Sequence, residues 1–109
     1  MASEPGGVQS VARAVAILRT LAEPHPDGSQ PADGLALAAI AKSTALSPST
    51  THRLLRALIG EHLVEQDPAT ERYRLGPLAG VLGQGYLASA GLERAVPILR
   101  KLCRETDES

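Results

Sequence analysis

Two short stretches with helical apolar spacing, separated by three residues, constrain this chain more than any other feature. Leu37, Ile40, Ala41 and Thr44 share one face of the first stretch, and Thr51, Leu54, Leu55 and Leu58 share one face of the second. Ser47 is a good N-cap for the second helix, Pro48 suits its first position, and Gly60 stands near its end. The spacing predicts two helices joined by a tight turn over residues 37–58, the layout of a helix-turn-helix.

The outward face of the second helix carries the chemistry. Ser49, Arg53, Arg56 and Gly60 fall opposite the apolar side at i, i+4, i+7 and i+11, flanked by Thr50 and His52. Arginine bridges guanine O6 and N7, and serine or threonine bonds a phosphate or a base edge. The free amides at a helix N-terminus add a further preference for phosphate. Ser49, Thr50, His52, Arg53 and Arg56 are therefore the candidate DNA-binding residues of the motif.

Bulk electrostatics does not make this case. The chain has 109 residues and a formal net charge of −1, so positive charge must act by local clustering. Between residues 34 and 76, Lys42, Arg53, Arg56, Arg72 and Arg74 stand against Glu61, Glu65, Asp67 and Glu71. Before residue 34, Arg13 and Arg19 face Glu4, Glu23, Asp27 and Asp33. The middle is weakly positive and the N-terminal part acidic.

The flanks organise around the motif. Residues 1–7, with Pro5-Gly6-Gly7, read as a disordered tail. Residues 8–22 read as a helix with Val8, Val11, Ala14, Val15, Leu18, Leu21 and Ala22 on a broad apolar face, Ser10 as a cap and Pro24 as its stop. Residues 23–34 hold three prolines, two glycines and three acids and read as a long, mobile surface loop. Residues 63–67 and 72–75 are strand candidates joined by a turn at residues 67–71. If Val64, Tyr73 and Leu75 lean on the core, Arg72 and Arg74 project together on the outer face, where a wing reaches backbone or minor groove.

Residues 77–90 are a further helix candidate with Leu78, Val81, Leu82 and Tyr86 as its stripe. Gly80, Gly83 and Gly85 weaken it by about 1 kcal/mol each relative to alanine, and they permit close approach of another helix. After Gly91, residues 92–105 form a last amphipathic helix with Leu92, Ala95, Val96, Leu99 and Leu102 on one face. The fold class expected is mainly α: a winged helix-turn-helix with a two-stranded β wing, followed by a linker helix. Phe and Trp are absent, so the core is thin and an oligomer would complete it.

Other chemistries find little support. His25, His52, His62 and Cys103 show no metal-ligand spacing, and Cys103 reads as a small core residue. Gly83-Gln84-Gly85 lacks the strand and downstream glycine of a phosphate loop. No nucleophile and base pair up, so no catalytic site and no cofactor are expected. A single cysteine excludes an internal disulfide and fits a reducing compartment. Neither a signal peptide nor an apolar run near the roughly 20 residues of a membrane span is evident, so a cytoplasmic chain without membrane contact is expected.

Several motifs together resemble one family. Val8-Gln-Ser-Val-Ala-Arg-Ala-Val-Ala-Ile-Leu, Ile40-Ala, Ser49-Thr-Thr-His-Arg-Leu-Leu and Arg72-Tyr-Arg-Leu-Gly, in this order and spacing, are similar to the isocitrate lyase regulator (IclR) family of bacterial transcription factors. The resemblance covers residues 8–109 apart from the long loop. It implies a winged helix-turn-helix DNA-binding domain over residues 8–76 and a linker and dimerisation helix over residues 77–91. Residues 92–109 then look like the first helix of a truncated effector-binding domain. It also implies double-stranded operator DNA as partner, a homodimer or higher oligomer, and a small-molecule effector bound only through the missing C-terminal domain. Against the family pattern, Ala45 stands where glycine is usual in the turn, Glu71 replaces a common wing-tip glycine, Thr51 replaces a usual valine, and the 23–34 loop is long.

Solvated charge alone accounts for Arg53 and Arg56 on any exposed helix face, and alternating charges on a hairpin often serve solubility. The competing function is therefore a winged-helix module for protein–protein contact. Such a module would more often carry an apolar patch where Ser49, Arg53 and Arg56 stand.

Overall fold

The computed structural model describes residues 5–25 and 28–108. In order they form α1 (Pro5–Ala22), a single 3-10 turn (Pro31–Asp33), α2 (Leu37–Thr44), α3 (Pro48–Gly60), β1 (Val64–Gln66), β2 (Tyr73–Leu75), α4 (Pro77–Ala90) and α5 (Leu92–Glu108). The strands pair antiparallel, with Val64 opposite Leu75, Glu65 opposite Arg74 and Gln66 opposite Tyr73. This is the expected mainly helical winged helix-turn-helix with a two-stranded wing, followed by a further helix.

The capping expectation at α3 is met atom by atom. Ser47 holds extended backbone, and its Oγ accepts the Thr50 N–H at 3.2 Å. Pro48 takes the first helical position, where its missing N–H costs nothing. Thr51 is fully buried, yet its hydroxyl donates to the Ser47 carbonyl at 2.8 Å, so the polar atom enters the core satisfied.

Ala45 closes α2 in the left-handed region, at φ 58° and ψ 35°. That conformation is disfavoured by a Cβ and free of penalty for glycine. Ala45→Gly is expected to raise stability by up to about 1 kcal/mol. The shift would appear as a higher denaturant midpoint at unchanged slope; a lower midpoint would contradict it.

One apolar core joins α1, α2, α3, the wing and Leu35. Ile17, Leu21, Leu35, Ile40, Leu55, Leu58, Val64 and Tyr73 are buried together, with Leu18, Leu46, Leu54, Ile59, Leu63 and Leu75 packed against them. The face of α1 differs from the expected one. Ile17 is its most buried side chain, whereas Val8 and Val11 are 73% and 65% exposed and Val15 is exposed as well. Apolar residues cover more than one side of this helix, and the body below selects the side with Ile17 and Leu21.

The helix also begins at Pro5, so residues 5–7 are helical rather than part of a tail, with proline at the first position where it is tolerated. The tail reading for residues 1–4 lies outside the described residues.

The segment expected as a mobile surface loop is anchored on both sides of Pro26 and Asp27, which lie outside the described residues. His25 is buried, and its Nδ1 lies 2.9 Å from the Ser29 hydroxyl. The Asp33 carboxylate accepts the Gln30 N–H at 2.9 Å, closing the 3-10 turn. Leu35 then exchanges both backbone hydrogen bonds with Tyr73, at 2.9 and 2.8 Å, adding a one-residue rung beside β2.

Gly76 makes the exit from the wing. A Cβ there would stand 2.6 Å from the His62 carbonyl oxygen, and the Gly76 N–H donates to Leu63 at 2.8 Å. Beyond it, α4 buries no residue, and every residue from 80 to 89 is exposed, including Val81, Leu82 and Tyr86. Helix α5 continues to Glu108, three residues past the expected end, with Ile98, Leu99 and Leu102 exposed. The side chains of Leu92, Ala95 and Cys103 lie outside the described residues.

Candidate nucleic-acid interface

Capping and burial together orient α3. With Thr51, Leu55 and Leu58 buried and Leu54 half-buried, the helix has one rotational setting. Ser49, His52, Arg53 and Arg56 are exposed on the opposite side, and Thr50 is half-buried beside them. Arg53 and Arg56 are one turn apart, a spacing that places their Cβ atoms about 5–6 Å from each other. Among the described residues no carboxylate pairs with either guanidinium; the salt bridges there belong to Arg74. Two uncommitted cations thus stand on a helix face whose width suits the major groove.

The N-terminal turn of α3 is pre-formed by hydroxyls. The Ser47 Oγ donates to the Thr50 Oγ1 at 3.0 Å and lies 3.5 Å from the Ser49 Oγ. The Thr50 oxygen accepts from Ser47, which leaves its proton to donate outward. Pro48 has no N–H, and those of Thr50 and Thr51 bond Ser47, which leaves the Ser49 N–H and the helix dipole to favour an anion at this end.

The wing is more internally engaged than α3. Its turn is fixed by Asp67, whose Oδ1 accepts the Ala69 N–H at 2.8 Å and whose carbonyl accepts the Glu71 N–H at 2.7 Å. Backbone N–H groups facing the Asp67 carboxylate, that of Ala69 foremost and that of Thr70 after it, hold its carboxyl below the usual aspartate value, with the nearby Arg74 charge adding to the effect. Glu71 at the tip adopts φ 64°, the left-handed setting that explains why glycine fits that position.

Arg72 and Arg74 share a strand face as the alternation predicts, but each has a partner within the fold. The Arg72 Nη1 donates to the Gly34 carbonyl at 3.4 Å. The Arg74 Nε donates to Glu65 Oε2 at 2.7 Å, and its Nη1 lies 3.7 Å from Asp67 Oδ2. No local pattern marks Glu65 and Asp67 as its partners. The signal that finds them is register: pairing Val64 with Leu75 places Glu65 directly opposite Arg74.

The described residues hold no cluster of three or more His, Cys, Asp or Glu side chains arranged to bind a metal ion. No helix among them is long and apolar enough to cross a membrane. The surface has shallow concavities. One, mostly apolar, is lined by Val15, Leu18, Ala22, Leu63, Leu75, Ala79 and Leu82 with Arg19 at its side.

Known proteins share this arrangement. Residues 10–68 match the IclR helix-turn-helix domain. The transcriptional regulator BhcR of Paracoccus denitrificans is 35% identical over 109 residues, covering 99% of this chain and 36% of its own length. The regulator TtgV of Pseudomonas putida is 42% identical over 105 residues, covering 95% of this chain and 37% of its own. Among solved structures, HmgR of Pseudomonas aeruginosa superposes with a TM-score of 0.65 at 29% identity, over 82% of this chain and 35% of that one. The chain therefore spans about a third of the length of these relatives. With motif, wing and core agreeing, this chain belongs to the IclR family of transcriptional regulators, and the matched part of it is that family's helix-turn-helix domain.

Proposed function

We propose that this chain binds operator DNA sequence-specifically as a dimer, each protomer laying α3 in a major groove. The observation that carries the reading is the exposed pair Arg53 and Arg56, without an ion-pair partner among the described residues, on the face opposite the buried Thr51, Leu55 and Leu58. Ser49, Thr50 and His52 flank them and serve backbone or base-edge contacts. On the wing, Arg72, whose hydrogen-bond partner is a neutral carbonyl, offers positive charge.

The dimer reading rests on unspent apolar surface. Val8, Val11 and Val15 on α1 and Val81, Leu82 and Tyr86 on α4 are all exposed. Exposed apolar side chains at helical spacing on two helices are the kind of surface that marks an association site. A second copy of the chain is the partner that would cover it and would match a palindromic site. In this reading α4 is the linker and α5 opens an effector-binding domain of the kind the longer relatives have room for. The effector and the cytoplasmic setting follow from the same reading.

A salt titration on DNA resin separates this function from protein–protein docking. The expected result is retention at low salt and release as salt rises, because protein cations that neutralise phosphates release the counterions condensed on DNA, and added salt opposes that release. Passage through the resin at low salt would overturn the proposal.

A further inference from the structure

The wing's two arginines are not equivalent. Arg72 donates one hydrogen bond to a neutral carbonyl, and among the described residues no carboxylate pairs with it. Arg74 is bound by two carboxylates, from β1 and from the first residue of the wing turn. That turn residue, Asp67, also fixes the turn backbone through Ala69 and Glu71. The Arg74 side chain borders a concavity shared with Leu21 and Ala22 of α1, Pro31 and Ala32 of the 3-10 turn, and Leu75. One half-buried side chain therefore ties β2, β1 and the wing turn together at the place where the wing meets the body.

The charge count agrees. From Val64 to Leu75 the hairpin holds Glu65, Asp67 and Glu71 against Arg72 and Arg74, one acid in excess. A phosphate approaching Arg74 would have to displace carboxylates already in place.

We infer that Arg74 is a positioning residue, clamped by Glu65 and Asp67 to hold the wing's pitch against the body, and that it does not itself neutralise a DNA phosphate. The inference rests on the DNA-binding reading and sharpens it: Arg72 is the wing's available cation. Because both partners of the Arg74–Glu65 pair are partly exposed, the pair adds little to global stability. Its effect is on the shape the wing presents.

The test uses the whole chain and the duplex it enriches from a random-sequence pool, titrated at several salt concentrations. Arg74→Ala and Glu65→Gln are each expected to weaken binding by roughly 3- to 10-fold, leaving the slope of log affinity against log salt unchanged. The double variant should be no weaker than Arg74→Ala alone, because removing Arg74 already removes both of its carboxylate contacts. Arg72→Ala should instead flatten the slope by about 0.9, the signature of one lost phosphate contact. A flattened slope for Arg74→Ala would overturn the inference. So would tighter binding by Glu65→Gln, which would make Glu65 a mask over a DNA contact, or unchanged binding by both. Amide hydrogen exchange without DNA gives an independent readout: Ala69 and Glu71 should exchange faster in both single variants at nearly unchanged melting temperature. Protection unchanged from the wild type in that experiment contradicts the clamp, whereas a wild-type chain that enriches no duplex contradicts the DNA-binding reading instead.

Discussion

Arg53→Ala is expected to weaken binding to the cognate duplex by roughly 5- to 150-fold, the range of about 1–3 kcal/mol for one good arginine–guanine contact. The melting temperature should stay within the range typical of surface substitutions, since Arg53 is exposed and forms no ion pair among the described residues. The loss should concentrate on one base position: duplexes altered there should bind wild type and variant almost equally. A uniform loss across sequences would make Arg53 a phosphate contact, and unchanged affinity in a gel-shift titration would remove it from the interface.

The second large effect concerns the core that orients α3. Leu55 is fully buried among Ile17, Leu21, Ile40, Val64 and Tyr73 in the core cluster. Truncation there removes packing from a core without Phe or Trp to absorb the gap. Leu55→Ala is expected to cost about 2–5 kcal/mol, which for a domain of this size lowers the melting temperature by more than about 10 °C. Thermal unfolding followed by circular dichroism measures it. A shift of only a degree or two would mean that α3 is held by something other than this core, and the rotational setting assigned to its outer face would lose its basis.

The interface helix was legible because its signals agree and are local. Ser47 and Pro48 set its start, and Thr51, Leu54, Leu55 and Leu58 at helical spacing set its inner face. The outer face follows by geometry alone. The wing strands were legible for a similar reason, since alternation directs Val64 and Tyr73 inward.

What remained hidden depends on pairings between distant residues. Leu35 and Tyr73 are 38 positions apart, and nothing local in residues 23–34 announces that the segment ends by docking on β2. The partners of Arg74 depend on hairpin register, which the 67–71 turn leaves open until the strand ends are placed. On α1 the difficulty is excess rather than lack of signal. Valines and leucines populate so much of its circumference that the sequence offers two apolar stripes, and only packing distinguishes the buried Ile17 from the exposed Val11. The stripe that is left over, with its counterpart on α4, is the surface assigned to the second copy.

Selection of bound sites from a random duplex pool tests the central claim most directly. Dimeric binding through α3 predicts enrichment of a roughly palindromic site whose half-sites lie one helical turn, about 34 Å, or a multiple of it apart. It further predicts that the enrichment is lost when Arg53 and Arg56 are both replaced by alanine in a chain that still folds. Recovery of no preferred sequence, or the same preferred sequence from the doubly substituted chain, would contradict it.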